Sequence, residues 1–332
     1  MPSVPLSILD VAIVGANETV RDSFEGSVLL AQRAEALGYR RVWYAEHHNI
    51  ASIASSATAV LIAHIAAHTT TIRLGSGGVM LPNHSPLVIA EQFGTLAELH
   101  PGRIDLGLGR APGTDQNTMR ALRRDPAAAE SFPQDVLELQ AYLADRTRIP
   151  NVNAVPGRGT NVPIYILGSS LFGARLAAHL GLPYGYASHF APQALRDAVA
   201  RYRQEFQPSE QLERPYVIAG VNAITAESDE EAHEQLLRSR RGRVRNLFGR
   251  DGQPISDDEA DRILRSPQAI HIDQMMTYTA VGTPDVVAGY LSEFREHADA
   301  DELMVVHQGD GVASRVRSLE LVSEAVGLEP ER

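Results

Sequence analysis

Residues Thr71–Arg110 read TIRLGSGGVMLPNHSPLVIAEQFGTLAELHPGRIDLGLGR, and the three parts of this stretch decide the fold. TIRLGSGGVM (Thr71–Met80) is a short, mostly apolar strand. Ser85–Leu99 then repeats apolar residues at helical spacing, with Ser85 placed as cap and Pro86 at the first position, where a missing N–H is harmless. Ile104–Leu108 is another strand, apolar on both faces as strands of a helix-covered parallel sheet are.

The same alternation continues on both sides. Upstream, LSILDVAIV (Leu6–Val14) predicts a first strand and Ser23–Leu37 a helix ended by Gly38, a residue suited to the left-handed position beyond a helix. RVWYA (Arg41–Ala45) predicts a strand, and Ala57–His68 an alanine-rich helix. Downstream come a helix near Ser131–Ala144, the strand Pro163–Leu167, the helix Ser170–Leu180, and the strands Tyr184–Ser188 and Tyr216–Ile224. A helix starting at Thr283-Pro284, with Thr283 as cap, leads to the strand Glu302–Val306 and a last helix.

Eight strand–helix units in 332 residues predict an α/β protein, a (β/α)8 TIM barrel forming one domain over residues 1–332. The length beyond about 250 residues belongs to insertions, and the polar segment near 250–274 is the expected one. An open, doubly wound sheet shares this alternation and stays possible at this point.

Composition removes whole chemistries. The chain has no cysteine, and all 30 of its Lys and Arg residues are arginine. Thiolate nucleophiles, cysteine-ligated metals, lysine Schiff bases and a standard P-loop are therefore excluded. A net charge of −11 argues against a general nucleic-acid binder, although Arg238–Arg250 (RSRRGRVRNLFGR) is dense in arginine. That stretch reads as a solvated helical face, with a phosphate-binding patch as the rival. No apolar run reaches the ~18 residues of a membrane span, and MPSVPLSILD lacks the basic region of a secretory signal, so the expected location is cytoplasmic.

In a barrel, reactive groups stand just past the strand ends. After the second strand comes Glu46-His47-His48-Asn49, where a histidine can serve as base, hydrogen-bond donor or metal ligand, or merely tie down a loop. No HExxH spacing supports a metal, and His64 is expected to pack on its helix. The third strand carries Gly75-Ser76-Gly77-Gly78, which marks a bulge or a flat ligand against the backbone. Arg110 ends the fourth unit, where it can grip phosphate or join a surface ion pair. Gly168-Ser169-Ser170 opens a helix, whose free N–H groups make an anion site that a plain serine cap would resemble. Ser188-His189-Phe190, after the sixth strand, is a candidate lining of a substrate pocket.

These residues also carry a resemblance. AEHH (Ala45–His48), GSGGVMLPNHSPLVIAEQFGTL (Gly75–Leu96), PGRIDLGLGRAPGTD (Pro101–Asp115) and VGTPDVV (Val281–Val287) are similar to the bacterial-luciferase-like flavin-dependent family over nearly the whole chain. The resemblance implies an active-site histidine at His47 and a non-proline cis peptide at Gly77-Gly78. It implies a phosphate grip from Arg110, Gly168, Ser169, Ser170 and the backbone N–H of Gly173, where luciferase has threonine. Gly109 stands where luciferase has a reactive cysteine, so light emission on long-chain aldehydes is not implied.

The activity implied is that of an FMN-dependent monooxygenase, supplied with reduced FMN by a separate reductase, that uses O2 to oxygenate a small organic substrate. The resemblance also implies a homodimer packed through the helices Ala57–His68 and Ser85–Leu99. Two alternatives stay open: hydride transfer with the deazaflavin F420 on the same fold, and a flavin-binding protein without turnover.

Overall fold

Parallel pairing runs without interruption around a ring in the computed structural model, which describes residues 5–15, 17–111, 115–249, 255–309 and 311–330. The strands are β1 (Leu6–Asp10), β2 (Arg41–Tyr44), β3 (Arg73–Met80), β4 (Ile104–Gly109), β5 (Ile164–Gly168), β6 (Tyr184–Tyr186), β7 (Val217–Thr225), β8 (Thr279–Gly282) and β9 (Glu302–His307). Each of β1 to β7 pairs with the next, β7 pairs with β9, and β9 pairs with β1. The ring is therefore closed by eight strands. The open sheet is excluded and the (β/α)8 barrel stands.

All eight sequence-predicted strands lie in the ring. What the sequence did not disclose is the ninth, β8, which pairs with the last four residues of β7 (Asn222–Thr225). β6 spans only three residues and pairs with Val217–Ala219, so β8 takes over the same edge of β7 beyond the point where β6 stops.

Alternation along each strand sorts side chains into two buried sets, as both faces of a barrel strand are covered. Leu9, Trp43, Ala45, Tyr165, Ile218, Met304 and Val306 point inward and pack on each other. Ile8, Val42, Tyr44, Val217, Ala219, Leu303 and Val305 point outward, into the core shared with the helices. The Trp43 and Tyr165 rings meet edge-on at 4.9 Å between centroids.

The closed end of the barrel holds a buried polar cluster that sequence reading missed. Arg41, first residue of β2, donates to Asp105 Oδ2 (2.7 Å) and the Tyr165 hydroxyl (2.8 Å) and lies against Glu302 Oε1 (2.9 Å). Trp43 Nε1 donates to Asp105 (3.1 Å), and the Tyr216 hydroxyl to Glu302 (2.7 Å). Burial opposes the charge on Arg41, but Glu302 and Asp105 overcome it and raise the guanidinium pKa further. This end is a sealed, mutually neutralised plug.

Helix ends follow the chemistry in part. Gly38 adopts φ 86° after the Val20–Leu37 helix, as its position predicted. Ser85 and Thr283, by contrast, make no side-chain capping bond. His64 lies exposed beside the His68 ring rather than packed in the core. The segment near 250–274 includes residues 250–254, which lie outside the described residues. Beyond them it forms the helices Asp257–Leu264 and Ile270–Met275. No helix among the described residues is long and apolar enough to cross a membrane.

Candidate active site

The loop after β2 is organised by Glu46, which the sequence presented only as one ionisable residue in a row. Its side chain is buried, and its carboxylate accepts from Met80 N (3.0 Å) and Asn83 Nδ2 (3.0 Å) and pairs with His84 Nε2 (2.9 Å) and His48 Nε2 (2.9 Å). Burial alone would raise its pKa; the hydrogen bonding and charge of His84, with the hydrogen bonds of Asn83 and His48, outweigh it and hold the carboxyl below its ordinary value. Glu46 is thus spoken for as a carboxylate. It fixes the neighbouring loop rather than serving as an acid.

One consequence is that His47 stands between two anchored neighbours. Glu46 N donates to the carbonyl of Gly78 (3.2 Å), and Asn49, with φ 58°, donates to Asp115 (3.0 Å), so the loops after β2, β3 and β4 are tied together. His47 itself is half-buried and close enough to His189, after β6, to depress that imidazole's pKa.

Gly77-Gly78 is a cis peptide, as the resemblance implied, and the register of β3 against β4 shifts between Ser76 and Val79. The bulge reading of the glycines therefore holds. They are also required by packing: a Cβ on Gly77 would meet Leu9 Cδ1 at 2.6 Å and Trp43 Cβ at 2.9 Å, and one on Gly78 would meet Leu167 Cδ1 at 2.7 Å. In a close-packed interior such contacts force a shift.

Arg110 follows β4, and its guanidinium lies over the Phe172 ring, 4.2 Å from the centroid. Phe172 opens the Leu171–Leu180 helix, so Arg110 is held beside that helix's N-terminus, with no carboxylate partner among the described residues. Ser170 precedes the helix and makes no capping bond, which leaves its hydroxyl uncommitted and sets aside the plain-cap reading. The turn is held through its backbone, where Tyr186 donates to Ser169 O (3.2 Å) and Tyr184 to Ser170 O (3.1 Å). Gly168 and Gly173 face one another: a Cβ on Gly168 would meet nothing nearer than Gly173 Cα at 3.9 Å. The result is a small, open cradle with backbone donors, a free hydroxyl and one arginine. That donor set fits a phosphate group.

Of the segment Ser188-His189-Phe190, His189 matters most. Ser188 is buried and donates to Gly220 O (2.6 Å), and Phe190 is exposed. The His189 ring lies against Gly220, where a Cβ would come within 2.4 Å of Nδ1, and that nitrogen is buried without a partner. Burial first, then Arg243 and His47, push its pKa down to about 3, so it is a neutral imidazole near pH 7.

The arginine-rich stretch divides. Arg238, Arg240, Arg241 and Arg245 pair with Glu234, Asp273, Asp261 and Asp257, which makes most of it the solvated, charge-balanced face expected. Arg243 has no such pair among the described residues, and its charge acts on His189; Arg250 lies outside the described residues, as do Pro112–Thr114 of the fourth-strand motif.

A closed (β/α)8 barrel with an arginine, an open helix N-terminus and two histidines at its strand ends is the arrangement of a barrel protein with a candidate site at the mouth. A profile of the luciferase-like monooxygenase family matches residues 9–301. A luciferase-like monooxygenase of Escherichia coli (strain K12) is 46% identical over 324 residues, covering 97% of both chains. The N-acetyl-S-alkylcysteine monooxygenase of Bacillus subtilis (strain 168) is 33% identical over 338 residues, covering 97% of this chain and 98% of that one. The crystal structure of apo-MsnO8, 36% identical, superposes with a TM-score of 0.88 over 99% of this chain and 100% of the other. The chain belongs to the luciferase-like monooxygenase family. The expectation of a monooxygenase therefore holds at the level of class.

Proposed function

We propose that the protein is an FMN-dependent monooxygenase that takes reduced FMN from a separate reductase and oxygenates a small organic substrate with O2. The observation that carries this reading is the cradle at the Leu171–Leu180 helix, where an uncommitted Ser170 hydroxyl, the helix N–H groups and an Arg110 with no carboxylate partner among the described residues suit a phosphate dianion. Ser169 and the N–H of Gly173 complete it. FMN supplies the oxygen activation; the protein binds, orients and shields.

From the cradle, the ring system would lie across the mouth against the Gly77-Gly78 strand. His47, held between Glu46 and Asn49, would stand beside it to donate or take up a proton at an imidazole nitrogen. The glycine in place of the luciferase threonine at Gly173 takes away one hydroxyl, leaving Arg110 and Ser170 the larger share of the grip.

The reading also includes a homodimer. Val60 on the Thr58–Ala66 helix and Val88 and Leu99 on the neighbouring Pro86–Leu99 helix are exposed apolar side chains, suited to burial against a second copy. Sedimentation of the purified protein reads this directly.

Titration with FMN and with F420, followed by stopped-flow mixing of the reduced complex with O2 and a substrate panel, tests the reading. FMN should bind more tightly than F420, and His47→Gln should lower the yield of oxygenated product by about 10²- to 10⁴-fold while FMN affinity holds. Tight F420 binding with negligible FMN affinity would sink the proposal.

A further inference from the structure

The helix Asp229–Phe248 is anchored at both sides of the barrel mouth by one of its faces. Ser239 donates to Gln308 Oε1 (3.3 Å), just past β9, and Gln308 in turn donates to Asn222 of β7 (2.9 Å). Asn246 Oδ1 accepts from Ser52 (3.1 Å), in the loop that begins with Glu46 and His47. Ser239, Arg243 and Asn246 are spaced by four and three residues, so they share that face, and Arg243 lies between the two anchors. It therefore points over the mouth, where His189 feels its charge.

Among the described residues, Arg243 differs from its neighbours in having no carboxylate beside it. Arg238, Arg240, Arg241 and Arg245 each have a carboxylate within 4 Å, whereas Arg243 has no ion pair among the described residues and its Nε is buried without a hydrogen-bond partner. A half-buried cation kept from water without a counter-charge is costly, and burial depresses its pKa accordingly. Glu46, a carboxylate of the mouth, is already shared among His48, His84 and Asn83. A ligand that brings a negative charge under this helix would supply the counter-charge that the described residues lack.

We propose that Arg243 anchors a carboxylate on the organic substrate, so that the substrate class is a small organic acid held under this helix beside His47 and His189. The proposal rests on the monooxygenase reading above for the word substrate, and its anion site is separate from the Arg110–Ser170 cradle. Arg110 and Phe172 follow β4 and β5, while the helix face that carries Arg243 spans from β9 to the β2 loop. The guanidinium's planar fork suits a carboxylate, which it can hold through two parallel N–H bonds.

The experiment is calorimetric titration of the FMN-free and FMN-loaded protein with butyrate, hexanoate, benzoate and N-acetylalanine, each against its own amide. At least one acid should bind tenfold or more tightly than its amide, the preference should fall within twofold in Arg243→Gln, and Arg243→Lys should regain part of it. Arg243→Gln should melt at or above the wild-type temperature, since it removes an unpaired charge, which also shows that the variant folds. Equal binding of every acid and amide, or a preference that survives in Arg243→Gln, overturns the proposal. A variant that loses FMN affinity tenfold while keeping the acid preference also overturns it, by giving the guanidinium to the cofactor. FMN affinity is read separately from quenching of flavin fluorescence. Loss of the flavin reading with an Arg243-dependent acid preference in the FMN-free protein would leave this inference standing.

Discussion

Arg41 at the closed end of the barrel and Arg110 and Arg243 at its mouth are the same side chain in opposite circumstances. Arg41 is enclosed by Asp105, Glu302 and Tyr165, and each charge there has its answer within the protein. Arg110 rests on a phenyl ring and Arg243 under a helix, and neither has a carboxylate among the described residues. The plug spends its charges on holding strands in register; the mouth keeps its charges available. Where a fold leaves donors unanswered, those positions are candidates for binding, because a purely structural arrangement would have paired them.

The largest expected effect tests the plug. Arg41→Met leaves Asp105 and Glu302 buried without their central cation and should cost about 3–5 kcal/mol in urea unfolding. Arg110→Ala should change stability by less than about 0.5 kcal/mol, yet weaken FMN by about 10- to 100-fold, the size of a charge-assisted contact. Similar losses of stability from both substitutions would break the comparison.

A smaller effect concerns acid. His189 and His307 are both held down to about 3, chiefly by burial and then by nearby arginines, Arg243 for the first and Arg315 for the second. An unfolded histidine takes up its proton near 6.5, so between about pH 6.5 and 3 the unfolded chain binds more protons than the folded one. Stability accordingly rises with pH across that window and is lost as pH falls through it. Moving from pH 7 to pH 5 should cost about 2 kcal/mol for each histidine, and His189→Gln should remove about half of the slope in melts against pH. An unchanged slope would mean that His189 is not held neutral.

The smallest effect is at the cradle. A Cβ on Gly173 would lie 3.5 Å from the Tyr184 ring, an ordinary contact, so Gly173→Ala should alter stability by no more than about 1 kcal/mol. Gly77→Ala, pressed against Leu9 and Trp43, should cost visibly more in the same melts.

The comparison also explains what could be read from the chain. The eight ring strands were legible because burial on both faces writes them as apolar runs, and β8 was not, because TAVG is four residues merging into a helix start. His47, Arg110 and Ser170 were legible from one rule, that barrel chemistry stands at strand ends. Glu46 as a hub was not, since its partner His84 is 38 residues away and only the packed loops bring them together. The plug left a faint mark, a charged residue at or near the start of β2, β4 and β9, but its pairings span 64 and 261 residues. Arg243 was hidden in the opposite way. Six arginines in a short stretch look alike in sequence, and it takes Glu234 of the same helix together with the acidic side chains of the Asp257–Leu264 and Ile270–Met275 helices to tell the paired ones from the inward one.

Trp43, the one tryptophan of the chain, lies between these two ends, with its indole N–H on Asp105 of the plug and its ring under Gly77 at the mouth. Its emission is therefore a ready-made optical gauge of the barrel interior. Opening the plug to water would shift the emission to longer wavelength, and a yellow chromophore settling above Gly77 would drain it by energy transfer, so a single fluorimeter trace could follow unfolding and cofactor capture without any label.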